Sequence, residues 1–488
     1  MDPIRLPELG HLPAVLEGLA RNTALPEELA ARLLPYAMAP LRLALRKGFA
    51  PGPALCEAFL ARGEAEALAH VRALPPEFAA RLAADPDPEV RAVRAGRESA
   101  RAGRQERFAA DAAAAVRVAL AGRPDLPAGL LAALAADGDA GVRGAAASRG
   151  ARLPQELLRG LLTDADPKVR SAACRHRPPR DLHAGLLADP VTRERVVRHL
   201  ELDPDTAAGL AADPDEEVRV QLAAHPALPA ELRDALARDP SPAVRGKIFV
   251  RDDTPTALRT EIHAWLTAGA LRAEEDWHAA EEEDVFCEIS LTFLELDSYP
   301  WVTDDPAPHA NSPYVGMRRA AARSGRLPAA VLKGMLADED PTVRFAALRG
   351  TPDVDLALAE DIERRHVPMK GSPQRPADHV AFPPGTLRRF ATDPEARMRV
   401  LALRDPELPA ELRDRLAADQ DDAVRRAVAE DPRTDARTLL RLLGDGSAFV
   451  AQATAASPSL PPEAMRAVLD RAAEERRGST PGAASGWE

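Results

Sequence analysis

Aromatic residues, cysteines and long apolar runs are all scarce in this sequence. Aromatic residues make up 4% of the chain, too few for a β-sandwich or β-barrel core, since sheets draw on aromatic and β-branched side chains. The three cysteines, Cys56, Cys174 and Cys287, are an odd and scattered set, which argues against a disulfide framework. No apolar run approaches the roughly 20 residues that a membrane-spanning helix needs. The first residues lack a basic segment followed by an apolar one, so we expect no export signal and a cytoplasmic location.

The residues that stand out instead are alanine, leucine and arginine, which are strong helix formers. Hydrophobic residues account for 45% of the 488 residues, so the chain is not a disordered polymer. The formal net charge is −12, from 64 basic and 76 acidic residues, which disfavours broad binding to nucleic acid or anionic membranes. The composition therefore indicates an all-α protein.

One phrase recurs along the chain: Leu-Pro-x-Glu-Leu-x-x-x-Leu-Ala-x-Asp-x-Asp-x-x-Val-Arg. Clean copies run from Leu228 to Arg245 and from Leu408 to Arg425. Its valine falls at positions 90, 116, 142 and 169, which are 26, 26 and 27 residues apart. Self-similarity at such a period is typical of solenoids built from stacked repeats.

Each copy contains the residues that typically begin and end two short helices. We call these the first and second helix of the repeat. Pro229 suits the first turn of the first helix, and Leu232 and Leu236 lie on one face of it. Ser241 is a candidate cap for the second helix, with Pro242 at its first position. Such a pair cannot bury its apolar faces alone, so we expect an all-α, right-handed α-solenoid of about 26-residue repeats in which each repeat contacts only its neighbours.

The repeated motif resembles that of the leucine-rich repeat variant family, whose helical repeats are similar to HEAT repeats. The resemblance covers most of residues 70–250 and 312–470 and implies a helical-repeat fold in which one helix of each pair can be 3₁₀-like. A founding member of that family carries an iron–sulfur cluster on clustered cysteines outside its repeats. The present chain has no Cys-x-x-Cys and only three dispersed cysteines, fewer than the about four thiolates a cluster needs, so no cofactor is expected.

The regularity of the phrase divides the chain into segments. Residues 1–70 read as degenerate capping repeats, 71–250 as regular repeats, 251–311 as an aromatic and acidic insert, and 312–470 as further repeats with an irregular loop at 352–387. Residues 471–488 are rich in glycine, serine and proline towards their end and predict a disordered tail.

An arginine follows the repeated valine, and an aspartate precedes nearly every such arginine by six residues. Stacked repeats would bring these arginines into a row about 10 Å apart. A bare row could bind phosphates, but a guanidinium paired with a carboxylate or with turn carbonyls favours a structural ladder that sets the geometry between repeats. The predicted ladder comprises Asp85, Arg91, Asp137, Arg143, Asp164, Arg170, Asp213, Arg219, Asp239, Arg245, Asp338, Arg344, Asp419 and Arg425.

The insert is the segment that differs most from the repeats, since it holds three of the four tryptophans and an acidic block. Insertions into solenoids are often the binding face. We therefore expect a non-catalytic scaffold that binds a protein partner through its concave face and the insert, although the same aromatic residues could fill the insert's own small core. The candidate partner-binding residues are Trp277, Tyr299, Trp301, Tyr314, Glu281, Glu282, Asp284 and His309.

Two alternatives remain open. The first is a nucleic-acid-binding solenoid that uses the arginine row or the basic stretch from Arg91 to Arg107. The second is an enzyme or metal site that uses histidines and carboxylates of the insert. The candidates are suitable ligand types without a tight ligand spacing: His278, His309, His366, His379, Cys287, Asp304 and Asp305. No Gly-rich phosphate loop, Gly-x-Ser-x-Gly elbow or His-Glu-x-x-His occurs, so the sequence predicts no catalytic residue.

Overall fold

The computed structural model describes residues 6–97, 103–275, 299–366 and 374–478, with side chains described outside 269–275. Within these residues every regular element is a helix, as an α-solenoid requires. The chain forms two compact units: unit 1 contains Met1–Val142 and Phe382–Glu488, and unit 2 contains Arg143–Ala381.

Unit 1 is built from both ends of the chain, and its two segments follow the same alternation of first and second helices. The helices of the N-terminal segment are α1 (Leu12–Arg21), α2 (Glu27–Leu33), α3 (Met38–Arg46), α4 (Pro53–Leu60), α5 (Ala65–Ala69), α6 (Pro76–Leu82), α7 (Pro88–Arg97), α8 (Arg104–Ala109), α9 (Ala114–Ala121), α10 (Ala128–Ala135) and α11 (Ala140–Ala147), which crosses the boundary.

Unit 2 continues the alternation and contains the two irregular stretches. Its helices are α12 (Gln155–Leu162), α13 (Pro167–Ala173), α14 (His183–Ala188), α15 (Arg193–Val197), α16 (Pro204–Ala211), α17 (Glu216–Ala223), α18 (Ala230–Leu236), α19 (Pro242–Phe249), α20 (Thr256–Glu275), α21 (Pro300–Asp304), α22 (Val315–Arg323), α23 (Ala329–Met335), α24 (Pro341–Gly350) and α25 (Leu356–Arg365).

The C-terminal segment of unit 1 begins again with regular repeats. Its helices are α26 (Pro384–Phe390), α27 (Ala396–Leu401), α28 (Ala410–Leu416), α29 (Asp422–Glu430), α30 (Ala436–Leu442), α31 (Ala448–Ala456) and α32 (Pro462–Gly478). Short 3₁₀ turns occur at 150–152, 180–182, 307–309, 376–379 and 402–404, whereas both helices of the regular repeats are α-helical.

The turn residues of the repeat determine where its helices begin. Pro229 has φ −59° and ψ 141°, an extended conformation that places it just before α18 rather than in its first turn. Ser241 caps α19, since its Oγ accepts hydrogen bonds from the backbone N–H of Ala243 at 3.1 Å and of Val244 at 3.2 Å. Pro242 is the first residue of α19, where its missing N–H costs no helical hydrogen bond.

The core residue of each second helix is the residue that precedes the ladder arginine. Val450 occupies the equivalent position, although Ala451 follows it. Full burial of such a side chain contributes about 1.5–3 kcal/mol. These core residues are all buried: Val90, Val116, Val142, Val169, Val218, Val244, Met317, Val343, Met398, Val424 and Val450. Repetition of this burial explains how units of fewer than 30 residues are stable without a central sheet.

The two ends of the chain form one composite repeat within unit 1. Helix α32 supplies a first helix and α1 a second helix, and α1 packs against α31 and α32. The buried Asn22, which follows α1, donates from Nδ2 to the carbonyl oxygens of Ala455 at 2.9 Å and Ser457 at 2.7 Å. Exposed ion pairs join Arg32 to Asp470 at 2.6 Å and Arg466 to Glu28 at 2.8 Å. We had expected each repeat to contact only its neighbours in sequence. The contacts of α1 with α31 and α32 show that this expectation is wrong for these helices.

The structure adds detail to three of the predicted segments. Within residues 1–70, helix α1 packs into the core beside α31. Helix α32 continues to Gly478, so it extends past residue 471, the predicted start of the tail. At the edges of the insert, Leu258, Ile262 and Val302 are buried in the core of unit 2.

Candidate binding surface on the second helices

Arginine side chains after the core valine join each repeat to the next one. In unit 2, Arg219 donates from Nε to Oδ2 of Asp239 at 2.8 Å and from Nη2 to Oδ1 at 3.2 Å. Its Nη1 donates to the backbone carbonyl of Asp213, six residues earlier, at 2.8 Å. Side-chain pairs of this kind are Arg91–Asp111, Arg117–Asp137, Arg399–Asp419 and Arg425–Asp445 in unit 1, and Arg143–Asp164, Arg170–Asp189, Arg219–Asp239 and Arg318–Asp338 in unit 2.

A ladder aspartate such as Asp239 has arginine partners in two different repeats. The carboxylate of Asp239 accepts from Arg219 of the preceding repeat, and its carbonyl accepts from Nε of Arg245 in its own repeat at 2.5 Å. The same carboxylate accepts from the backbone N–H of Ser241 at 2.8 Å, which closes the turn before α19. The forked geometry suits arginine and not lysine, because only the guanidinium donates in parallel to both carboxylate oxygens.

The sequence pattern predicted the correct residue types for the ladder, but it paired each arginine with the wrong aspartate carboxylate. The aspartate six residues before the arginine, such as Asp85 before Arg91, offers its backbone carbonyl at 2.8 Å. The carboxylate partner is Asp111, 20 residues after the arginine, which only the stacking of repeats brings into reach. This pairing holds the pKa of Asp111 below its usual range, because the carboxylate accepts hydrogen bonds from the Arg91 guanidinium despite its partial burial.

The ladder is interrupted where the repeats are irregular. Arg245 donates to the carbonyls of Asp239 and Arg238 and lies 3.7 Å from the ring centroid of Trp265 on α20. Arg344 donates from Nη1 to the carbonyls of Asp338 at 2.6 Å and Glu339 at 2.9 Å. In the described part of the chain, neither guanidinium pairs with a carboxylate of the following repeat.

A second row of side chains lies on the outer surface of the second helices. We define the second-helix face as the residue just before each core residue and those two, three and six positions after it. In α31 these positions are Phe449, Gln452, Ala453 and Ala456, around the core residue Val450. Phe449 is 67% exposed, an unusual exposure for a phenylalanine.

Phe449 borders an open groove within unit 1. The groove has a volume of about 440 Å³ and lies between α29, α31 and α1. Its lining comprises Arg21, Arg426, Glu430, Phe449, Gln452, Ala453, Ala456, Ser457 and Pro458. It thus combines small residues with an aromatic side chain and two guanidinium groups, and aromatic and arginine side chains are the types enriched in protein interfaces.

The aromatic residues predicted at the edge of the insert are packed inside unit 2. Tyr299 and Tyr314 are 1% and 7% exposed, and burial raises the pKa of Tyr299 to about 12. Trp301 is half-buried and donates from Nε1 to the carbonyl of Val250 at 2.9 Å. His309 packs edge-on against Trp301 with 4.9 Å between ring centroids. These contacts support the interpretation that the aromatic residues fill a local core.

The remaining candidates in the insert, Trp277, Glu281, Glu282 and Asp284, lie outside the described residues, as do His278 and Cys287. The structure therefore brings together Tyr299, Trp301, Tyr314 and His309 but does not place the acidic block.

The described histidines of the predicted metal site each pack against an aromatic ring, and the described cysteines are buried. His366 and His379 both lie against Phe345, at 5.2 Å and 5.7 Å between ring centroids. Cys56 and Cys174 are buried and free, and burial raises the pKa of each thiol to about 11. Among the described residues, no group of three histidine, cysteine, aspartate or glutamate side chains is arranged to hold a metal ion. None of the helices described is long and apolar enough to cross a membrane.

The basic stretch from Arg91 to Arg107 is less available than its sequence suggests. Arg91 is paired with Asp111, and Arg94 is 2% exposed and donates to the carbonyl of Val71 at 2.7 Å. Arg101 lies outside the described residues. Two of the arginines that a phosphate would need are thus used inside the protein.

The functional residue that sequence reasoning missed is Phe449. The signal was present, because ten other repeats carry a small or polar residue just before the core residue. Those residues are Glu89, Ala115, Gly141, Lys168, Glu217, Ala243, Gly316, Thr342, Arg397 and Ala423. Comparison at this single position would have identified the phenylalanine.

The repeats are similar to known helical repeats. A family model described as "Leucine rich repeat variant" matches residues 114–139, which confirms the resemblance seen in the repeated phrase. A structure described as a leucine-rich repeat variant with a novel repetitive structural motif is 25% identical, with 41% of this chain and 84% of that chain covered and a TM-score of 0.30. No curated protein sequence matches the chain.

Two longer structural matches span most of the chain. A mutant of Kap121p is 13% identical, with 96% of this chain and 52% of that chain covered and a TM-score of 0.23. An engineered protein is 15% identical, with 91% of this chain and 98% of that chain covered and a TM-score of 0.15. The present chain is thus an α-solenoid that contains a leucine-rich-repeat-variant repeat.

Proposed function

We propose that this chain is a non-catalytic scaffold that binds another protein through the second-helix face. The observation that carries the proposal is the distribution of exposed apolar side chains. In the described part of the chain, four large apolar side chains are exposed: Leu43, Val191, Leu356 and Phe449. Leu43 follows the core residue Leu41 by two positions, and Val191 and Phe449 each precede a core residue, so three of the four lie on the second-helix face.

Burial of these side chains against a partner would remove apolar surface from water, which is the main favourable contribution to protein association. Phe449 is the strongest anchor, because it is aromatic and borders a groove that Arg21 and Arg426 also line. Aromatic and arginine side chains at the centre of an interface contribute most of its binding free energy.

The ladder geometry argues against the arginine row as a phosphate-binding groove. Eight of its guanidinium groups already donate to a carboxylate of the next repeat, seven of them through two hydrogen bonds, and a nucleic acid would have to displace those carboxylates. The protein-binding proposal requires no such displacement, since it uses side chains that face solvent.

Substitution of Phe449 tests the proposal. We expect Phe449→Ala to weaken a partner isolated with the full chain by about 30-fold, because a truncated aromatic anchor typically costs about 2 kcal/mol. The matched control is Leu356→Ala, which removes an exposed apolar side chain from a first helix. The partner is purified, and its dissociation constant is measured for both variants by isothermal titration calorimetry.

Equal dissociation constants for the two variants would contradict the proposed site. Self-association of the chain that Phe449→Ala abolishes would assign the groove to a second copy and contradict binding to another protein. A further arm replaces residues 276–298 with a flexible linker. Weaker binding of the same partner would support the predicted contribution of the insert, and unchanged binding would contradict it.

A further inference from the structure

Four exposed cationic side chains of unit 2 have no carboxylate partner among the described residues. Lys168 lies on α13, Arg175 and Arg177 follow the end of α13, and Arg198 follows α15. Lys168 and Arg175 line the same groove, whereas Arg177 and Arg198 both lie near enough to His199 to act on its pKa. Arg198 donates a hydrogen bond of 3.4 Å to the side-chain oxygen of Gln221.

Several nearby carboxylates are engaged with other arginines. Asp181 binds Arg159, Asp189 binds Arg170, Glu194 binds Arg195, and Glu201 binds Arg180. Asp166, two residues before Lys168, caps α13 by accepting from the backbone N–H of Lys168 at 2.8 Å, so its carboxylate does not pair with the ammonium group.

The histidines of this region report the same accumulation of positive charge. The pKa of His199 is lowered first by burial and further by the charges of Arg198, His183, Arg177 and His176. The positive charges of Arg177 and Arg198 therefore act together at His199, and charges of this sign attract a negatively charged ligand.

Two of the cations, Lys168 and Arg175, line a groove with an apolar wall. Pro167, Lys168, Ser171, Ala172, Arg175 and Val191 line this open groove, which has a volume of about 260 Å³. Val191 is 36% exposed. A ligand that fits must combine negative charge with apolar side chains, as an acidic polypeptide does.

The spacing of the cations indicates the length of that ligand. Arg175 and Arg198 each lie six positions after a buried core residue, Val169 and Thr192, so they occupy equivalent places on successive second helices. Neighbouring helices lie about 10 Å apart. An extended peptide rises about 3.3 Å per residue, so three to four residues span this distance.

These features favour a polypeptide over a nucleic acid. A duplex is typically held by about six to ten phosphate contacts, whereas this region has four exposed cations without carboxylate partners among the described residues. Single strands are usually held by base stacking on aromatic side chains, and no aromatic residue lines the groove. The charge of the whole chain would also repel a long polyanion, whereas a short segment interacts within a screening distance of about 8–10 Å.

We propose that the face formed by α13 and α15 binds a short acidic segment of a protein, with Lys168, Arg175 and Arg198 pairing with its carboxylates and Val191 contacting its apolar side chains. This second site is consistent with the proposed scaffold function, but it lies in unit 2 and does not involve Phe449.

Fluorescence anisotropy with a labelled peptide that alternates glutamate and leucine tests the proposal on the full chain. We expect the combined substitutions Lys168→Glu, Arg175→Glu and Arg198→Glu to weaken binding by about tenfold or more, from the loss of three exposed charge pairs. The control combines Lys333→Glu, Arg437→Glu and Arg62→Glu, three exposed side chains outside the groove, and changes the net charge equally.

Equal weakening by both sets would show a general charge effect and overturn the site. Preferential binding of duplex DNA that the first set abolishes would assign the face to nucleic acid and also overturn the proposal. Circular dichroism verifies folding, and the milder set Lys168→Gln, Arg175→Gln and Arg198→Gln should give an intermediate loss. Phe449→Ala should leave peptide binding unchanged, so this test and that of the proposed function fail independently.

Discussion

At the residue scale, the most informative side chain is the ladder aspartate. Asp111 accepts from Arg91 of the preceding repeat and from the backbone N–H of Ala113 in its own turn. One carboxylate therefore closes a turn and joins two repeats. Removal of either partner leaves a largely buried charge, which is strongly destabilising in proteins. We expect the pair to contribute more to the free energy of unfolding than an exposed ion pair, whose contribution is about 0–1 kcal/mol.

The lowered pKa of Asp111 predicts acid sensitivity. A carboxyl group whose pKa is lower in the folded state contributes stability above its unfolded pKa of about 3.9 and loses it as the pH falls through the folded value. The pKa values of Asp164 and Asp189 are lowered for the same reason, by hydrogen bonds from Arg143 and Arg170. We expect the urea midpoint to be constant from about pH 7 to 5 and to fall below about pH 4.

The variant Asp111→Asn isolates one ladder carboxylate. It should lower the urea midpoint at neutral pH, and its difference from the unmodified chain should shrink as the pH falls, since the protonated aspartic acid also lacks the charge. Asp414→Asn on α28, where the side chain is exposed, is the control and should have little effect at any pH. A difference for Asp111→Asn that is constant across the pH range would contradict this account.

At the element scale, α1 is a second helix that stacks on α31 as though the chain continued from one to the other. The approach is close at Gly18, where a Cβ atom would lie 2.2 Å from the carbonyl oxygen of Gln452 and 2.7 Å from Cβ of Ala455. Those contacts are shorter than van der Waals packing allows. The absence of a side chain at this position therefore permits the two helices to meet.

The substitution Gly18→Ala tests this approach. Alanine normally stabilises a helix interior by about 1 kcal/mol relative to glycine, yet here we expect it to be destabilising by about 1–3 kcal/mol because the methyl group would force the helices apart. Gly209→Ala in α16 is the matched control, since no atom lies within 4 Å of its added Cβ. Urea denaturation of both variants gives the comparison, and a Gly18→Ala protein at least as stable as the unmodified chain would show that the approach is looser.

At the scale of the whole molecule, unit 1 depends on chain ends that are more than 400 residues apart. The hydrogen bonds of Asn22 to Ala455 and Ser457 span 433 and 435 residues. Terminal repeats of a solenoid have a neighbour on one side only and fray for that reason. The composite repeat gives α1 and α32 further neighbours, since each packs against helices from the opposite end of the chain.

Hydrogen exchange measures this coupling. We expect amides of α1 and α31 to be as well protected as those of α29, and Asn22→Ala to lower protection in α1 and α31 together. Removal of the buried amide takes the Asn22 donor from the carbonyls of Ala455 and Ser457, of which Ser457 keeps the backbone N–H of Leu460, and an unsatisfied buried carbonyl costs about 1–3 kcal/mol. Ser459→Ala, whose Oγ donates to the carbonyl of Pro432, serves as the control outside this contact. Loss of protection in α1 alone would contradict the composite repeat.

The features that can be predicted from the sequence differ between the residue, the helix and the whole molecule, for physical reasons. The periodic core residues, the cap at Ser241 and the residue types of the ladder follow from local rules, because helix periodicity and turn chemistry act within a few residues. The interpretation of Tyr299 and Tyr314 as partner anchors could not be decided from sequence, because an aromatic side chain is equally suited to an interface and to a core. Phe449 has the same ambiguity, and only its exposure distinguishes it.

The amino-acid sequence alone determined that this chain is an array of two-helix repeats with an arginine and an aspartate in each, since those features repeat at a constant period. Only the tertiary structure decided that the arginine reaches the aspartate of the next repeat, that α32 and α1 complete one repeat, and that three of the four exposed large apolar side chains in the described residues lie on the second-helix face. Periodicity encodes local geometry, whereas the meeting of distant residues depends on how successive repeats are rotated, and that rotation accumulates from many small packing contacts.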